Sequence, residues 1–356
     1  VGAMLLAALT LTACAADNPQ SALAPDGNAA REILNLFRPV FWIALAVFVI
    51  VEGALIYSVL RFRRRPQDGI PLQIHGNTTI EIAWTVIPAI IVVGIATMTF
   101  RTQSILVAEP QDPITIRVTG HQWWWEFEYP EYGFITANEI HLPAGRDIRF
   151  ELRSNDVIHS FWFPRLSGKT DLVPGHTNVM SFRTDDVPAR TLIRGQCAEF
   201  CGGTHAMMSM WAVVEPQADF EAWVARQQQQ AQVPAGVGQA QPGDGAGVAA
   251  PAAQDPNAQS PEARGYELFA TKGCIGCHAI NGYPGAVSRV GPDLTHVGSR
   301  QYIVAGWMEN TPENMQRWLR DPDGVKPGNR MADVIRLGTL TEDEIDALTA
   351  YLESLQ

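Results

Sequence analysis

Positive charge is in short supply. Against 37 acidic residues the 356-residue chain carries 26 Lys and Arg, a formal net charge of -11. Acidic residues outnumber basic ones in residues 101–227 and again in residues 261–356. That balance argues against nucleic acid as a partner and favours a basic or neutral docking protein. Charge of either sign nearly vanishes from two stretches: residues 39–60 hold only Glu52, and residues 82–100 hold none. Each meets the roughly 20 mostly apolar residues needed to cross a bilayer. Cysteine is sparse as well, five in all, and no internal repeat is evident.

The apolar stretches predict a two-helix transmembrane hairpin within residues 31–101. Arg61, Arg63, Arg64 and Arg65 follow the first stretch, and positive residues in short loops stay cytoplasmic. Both ends of the hairpin therefore face the outer side of a bacterial plasma membrane, with everything after Phe100 extracytoplasmic. Residues 1–13 resemble a lipoprotein-type signal peptide, whose removal would leave Cys14 acylated and inserted in membrane lipid.

Beyond the spans the hydrophobic period changes to two. Ile114, Ile116 and Val118 alternate with Thr115, Arg117 and Thr119, and Ile148, Phe150 and Leu152 alternate with Arg149 and Glu151. Such runs, separated by Pro, Gly, Asn and Asp, predict an antiparallel sandwich or barrel over residues 110–227. Residues 228–260 are rich in Gln, Ala, Gly and Pro and read as a flexible linker. Residues 261–356 carry helix signals. Ser260-Pro261 and Thr311-Pro312 place a hydroxyl before a first-turn proline, and Thr341 with Glu344 forms a capping box. Gly265 and Phe269 share one helix face, as do Leu348, Tyr351 and Leu352, so the terminal helices are expected to cross closely at the glycine.

Cys197, Cys201, His205 and Met208 fall within twelve residues, with His159 upstream. One thiolate, two imidazoles and a thioether make a mononuclear copper site; a second thiolate four residues from the first lets two sulfurs bridge two coppers. A disulfide or a zinc site remains open on the residues alone, although neither needs Met208 or the Gly202-Gly203 turn. Cys274-Ile-Gly-Cys277-His278 signals a covalent haem of the c type with His278 as an axial ligand; a redox-active Cys-x-x-Cys is the alternative. Gly291-Pro292-Asp293-Leu294 resembles the segment of monohaem cytochromes c in which a proline carbonyl orients the axial histidine, a role the resemblance gives to Pro292. Met331, in Asn329-Arg330-Met331, is the candidate sixth ligand, with Met308 and Met315 as rivals.

Gly120-His121-Gln122-Trp123-Trp124-Trp125-Glu126-Phe127-Glu128-Tyr129, the His159 segment, the cysteine loop and Glu81-Ile82-Ala83-Trp84-Thr85-Val86-Ile87-Pro88 together resemble subunit II of haem–copper cytochrome c oxidase. The fused haem segment resembles a class I cytochrome c, as in the caa type. The resemblance implies a cupredoxin-like Greek-key barrel holding a binuclear CuA centre, followed by an all-α cytochrome c domain. Cys197 and Cys201 would bridge, His159 and His205 would each cap one copper, and Met208 and the Glu199 carbonyl would be weak axial ligands. The Glu199 carboxylate would reach a magnesium ion shared with subunit I. Glu81 would stand at the mouth of a proton channel, and Trp123 would be the electron entry residue. Trp124 departs from the tyrosine that relatives usually carry.

The function so implied is an electron-transfer subunit of a proton-translocating oxidase. It would pass electrons from haem c to CuA and on to subunit I, supplied by an external cytochrome c or blue-copper protein. The alternatives are a nitric oxide or nitrous oxide reductase component, or a membrane-anchored redox shuttle. Nothing in the chain resembles a haem–copper oxygen site, so oxygen reduction would belong to a partner.

Overall fold

The computed structural model describes residues 18–63, 69, 73, 75–235, 237, 260–336 and 338–356. Cys14 and residues 1–13, Arg64 and Arg65, and residues 238–259 of the expected linker lie outside the described residues.

Two long helices open the structure, α1 (Asn28–Arg61) and α2 (Thr78–Leu106). Both are long and apolar enough to cross a membrane, and their most apolar windows are wholly unburied. At 1.5 Å per residue each exceeds the roughly 30 Å hydrocarbon core. The surplus in α1 lies at its start, where Ala29, Ala30 and Leu34 are buried and Ala29 joins the core of the β-domain. Arg165 grips Asp26 through two nitrogens at 2.5 and 3.1 Å, and Asn28 Oδ1 accepts the Arg183 N–H at 2.8 Å. A Cβ on Gly27 would sit 2.8 Å from the Leu166 carbonyl oxygen, so the chain enters the helix through a gap only glycine fits. At α2 the cap is Asn77, whose side chain accepts from Thr79 and Ile80.

The β-domain is two five-stranded sheets face to face. The strands are β1 (Ile114–His121), β2 (Trp124–Tyr129), β3 (Phe134–Ala137), β4 (Glu139–Pro143), β5 (Asp147–Ser154), β6 (His159–Trp162), β7 (Thr170–Leu172), β8 (Asn178–Arg183), β9 (Thr191–Cys197) and β10 (Ser209–Glu215). One sheet runs β3-β2-β1-β5-β8 and the other β4-β10-β9-β6-β7, the cupredoxin-like arrangement expected. Alternation holds in β1 and β5, where Ile116, Val118, Phe150 and Leu152 are fully buried. The expected all-antiparallel pairing does not hold throughout: β1–β5 and β4–β10 are parallel. Period two sets which face is buried, whereas strand direction is set by connections that cross between the sheets.

Helix α3 (Gln217–Gln227) closes one end, setting Phe220 and Trp223 against Tyr129, Tyr132 and Phe134. The residues after it are not free of the rest. His296 donates to the Gln229 carbonyl at 3.1 Å, and the Ala231 N–H to the Asn281 carbonyl at 2.8 Å. The start of the 228–260 segment therefore lies against the C-terminal domain.

That domain is helical: α4 (Pro261–Thr271), α5 (Pro312–Arg320), α6 (Pro322–Val325), α7 (Met331–Val334) and α8 (Glu342–Ser354), plus a two-rung hairpin of β11 (Tyr302–Ile303) and β12 (Met308–Glu309). Ser260 and Thr311 cap α4 and α5, and the Thr341–Glu344 box caps α8. Helices α4 and α8 cross as expected: a Cβ on Gly265 would run into the Ala347 carbonyl and lie 2.6 Å from Tyr351 Cβ.

Candidate metal and haem centres

Strand β9 ends on Cys197, and the loop to β10 carries Cys201, His205 and Met208 back past it. His159 opens β6, the neighbouring strand of the same sheet. The loop folds this way because Gly202 takes φ +113°, and a Cβ there would press on Gln122 and Trp123 at 3.1 Å. Glycine is needed there for both reasons.

The donor atoms converge. Cys197 Sγ lies 3.8 Å from Cys201 Sγ, with both cysteines free and buried. His159 Nδ1 is 3.9 Å from Cys197 Sγ, His205 Nδ1 3.5 Å from Cys201 Sγ, and Met208 Sδ 3.8 Å from Cys201 Sγ. The Glu199 carbonyl oxygen is 3.2 Å from Cys197 Sγ. His159, Cys197 and Cys201 hold ligand atoms within 4.8 Å of one another. The thiol of Cys201 is the main influence drawing Cys197 down to about 3, while the same contact pushes Cys201 above the usual thiol range. Two sulfurs that resist sharing negative charge unaided suit cations placed between them. The soft sulfur and imidazole set fits copper.

Asp156 fixes the imidazole of His159. Its Oδ1 accepts from Nε2 at 2.7 Å, which turns Nδ1 toward the sulfurs. Burial works against the charged imidazole, but Asp156 and Cys197 raise its pKa on balance. On the loop's outer side the Glu199 side chain is exposed and Phe200 is 76% exposed.

In the C-terminal domain Cys274–Gly276 forms a single 3-10 turn, and the His278 N–H returns to the Cys274 carbonyl at 3.0 Å. His278 Nδ1 donates to the Pro292 carbonyl at 2.8 Å, which leaves Nε2 as the basic nitrogen. Burial lowers the His278 pKa and raises that of the Cys274 thiol to about 11. A Cβ on Gly291 would sit 2.6 Å from the His278 ring. Cys274, Cys277, His278, Met315 and Met331 line one largely apolar cavity. Two thiols, an imidazole with a free nitrogen and apolar walls fit a haem. Met308 is buried in the hairpin and does not line the cavity. Met315 lines it from α5, in the domain core.

The tryptophans depart from a simple strand reading. Trp123 precedes β2 and lies in the turn after β1, partly buried, so it does not pair with Trp125 on one strand face. Its indole N–H donates to the Cys201 carbonyl at 3.0 Å, and Gln122 Nε2 donates to the same oxygen at 2.7 Å. Trp124 stacks on His121 at 4.1 Å and packs with Ala305 of the C-terminal domain. Trp125 is fully buried in the barrel. Gln122, Trp123 and Trp124 also line the cavity of His278. The two centres share a wall.

Glu81 lies exposed in the first turn of α2, and it is neither among the residues lining the cavity of His278 nor in the His159–Cys197–Cys201 cluster. Sequence reasoning missed Asp156, although it lies three residues before His159. It also missed Gln122 and Lys326, which carry no local signal, and a buried Glu139–His141–Glu215 chain with contacts of 3.2 and 2.7 Å.

Family models match three segments: cytochrome c oxidase subunit II, transmembrane domain, at residues 19–102; its periplasmic domain at residues 133–215; and cytochrome c at residues 262–356. Cytochrome c oxidase subunit 2 of Alkalihalophilus pseudofirmus is 37% identical over 98% of this chain and 94% of that protein. The protein of the same name from Bacillus sp. strain PS3 is 37% identical over 83% of this chain and 80% of its own length. Among solved structures, the periplasmic domain of cytochrome oxidase subunit II of Bradyrhizobium japonicum is 30% identical, covering 33% of this chain and 96% of that chain with a TM-score of 0.32.

Proposed function

The chain belongs to the cytochrome c oxidase subunit II family, with a cytochrome c domain at its C-terminus, and from that premise we propose that it relays electrons from haem c to a binuclear CuA centre and on to subunit I. The external donor would be a cytochrome c or a blue-copper protein, and the assembled complex a proton-translocating oxidoreductase. Copper and haem both supply one-electron chemistry with little change in geometry.

The protein's part is to hold and orient. Cys197, Cys201, His159, His205, Met208 and the Glu199 carbonyl would hold the copper. Cys274 and Cys277 would anchor the haem, and His278 and Met331 would hold its iron. The exposed Glu199 carboxylate would reach a magnesium ion shared with subunit I, and Glu81 would stand at the mouth of a proton channel. Cys14 adds a lipid anchor to the two spans. One observation carries this reading: Trp123, walling the cavity of His278, is hydrogen-bonded to the carbonyl of Cys201.

Rapid reduction of the purified complex tests it. With haem attached, an external cytochrome c should reduce the haem first and the copper after it. Removing the haem with Cys274→Ala and Cys277→Ala should slow copper reduction sharply. Copper reduced at the same rate without haem would overturn the relay.

A further inference from the structure

Among the described residues Lys326 is the one lysine or arginine that is buried. It is 4% exposed, sits between α6 and α7, and lines the cavity of His278. Its Nζ crosses to the β-domain and donates to the Trp123 carbonyl at 2.7 Å. From the same tryptophan the indole N–H continues to the Cys201 carbonyl at 3.0 Å.

We propose that Lys326 is the positioning residue that seats the cytochrome domain on the copper loop, through a hydrogen-bonded chain running Lys326 Nζ to the Trp123 carbonyl and Trp123 Nε1 to the Cys201 carbonyl. This deepens the relay reading and rests on it.

The backbone under Lys326 is built to hold it still. Its N–H bonds the Pro322 carbonyl at 2.9 Å, and Asn329 Nδ2 spans the Lys326 and Pro322 carbonyls at 2.6 and 2.8 Å. Beside it a bond runs the opposite way, from Thr204 Oγ1 of the copper loop to the Pro327 carbonyl at 3.0 Å. Reciprocal donation at one patch fixes register as well as contact.

A second patch supplies adhesion. Ser209 Oγ and Trp211 Nε1 donate to the Ala305 and Gly306 carbonyls at 2.8 and 3.0 Å, and Trp211 stacks on Tyr302 at 4.2 Å. Lysine is a costly way to add more adhesion. Burial pushes its pKa down to about 7, against the opposing pull of Cys201, and an apolar side chain would dock more cheaply. What the ammonium adds is direction: a donor aimed at a residue that touches both the cavity and the copper loop.

The test uses the full-length, haem- and copper-loaded chain with Lys326→Met, Lys326→Ala and Lys326→Arg. Hydrogen exchange reads the seat through the amides of residues 201–205, and flash reduction of the haem reads the rate of copper reduction. Lys326→Met and Lys326→Ala loosen this contact and should therefore slow the transfer several-fold and speed loop exchange. Lys326→Arg should recover part of each. Unchanged exchange and rate in both the Met and Ala chains would overturn the proposal. If the unaltered chain shows no transfer between its centres, the relay reading fails, and the exchange comparison still decides Lys326.

Discussion

Asp156 Oδ1 lies 2.7 Å from His159 Nε2, on the side of the imidazole opposite Cys197. The carboxylate settles which ring nitrogen faces the sulfurs. Asp156→Ala should weaken copper retention by roughly 10–100-fold, as loss of such a partner does at other metal sites. Chelator competition on the intact chain measures it, and Asp156→Asn should fall between the two.

Gly291 stands against the other imidazole. Because a Cβ would come within 2.6 Å of the His278 ring, Gly291→Ala should tilt the imidazole and shift the haem's visible spectrum. The two cysteines would still attach the ring, so covalent haem per chain should not change. A spectrum identical to that of the unaltered chain would remove His278 from the axial position.

The crossing of α4 and α8 depends on Gly265. A side chain there meets the Ala347 carbonyl and Tyr351, and such overpacking typically costs about 1–3 kcal/mol. Gly265→Ala should lower the unfolding midpoint of the cytochrome domain, read from haem absorbance. The copper spectrum should be unaffected at temperatures below that transition.

His121 gives the β-domain an acid-sensitive element. Burial lowers its pKa from 6.5 to about 4, with Asp156 pulling upward and His159 and Arg330 downward, and Glu126 lies 4.0 Å away. Between those values the unfolded chain takes up a proton that the folded one refuses, so stability is full above pH 6.5 and falls as pH drops toward 4. The loss is on the order of 3 kcal/mol at most. Denaturant titrations across this range should show His121→Phe flattening that acid limb.

Much of this was legible in local sequence. The caps at Ser260, Thr311 and Thr341, the alternation of Ile116 and Val118, and the close approach at Gly265 follow from rules acting over a few residues. The candidate copper donors were legible because all but His159 share one loop. Strand direction was not, since β1 and β5 alternate alike whether they pair parallel or antiparallel. Trp123 reads as a strand residue by its neighbours and sits in a turn. Lys326 meets a residue 203 positions away, and no short pattern encodes that contact. The domain interface is a tertiary fact.

Metal analysis joined to electron spin resonance of the intact, oxidised chain tests the central claim most directly. The account predicts two coppers and one covalent haem per chain, with the unpaired electron coupled equally to both copper nuclei. One copper per chain, or Cys197 and Cys201 joined as cystine in active material, would contradict it.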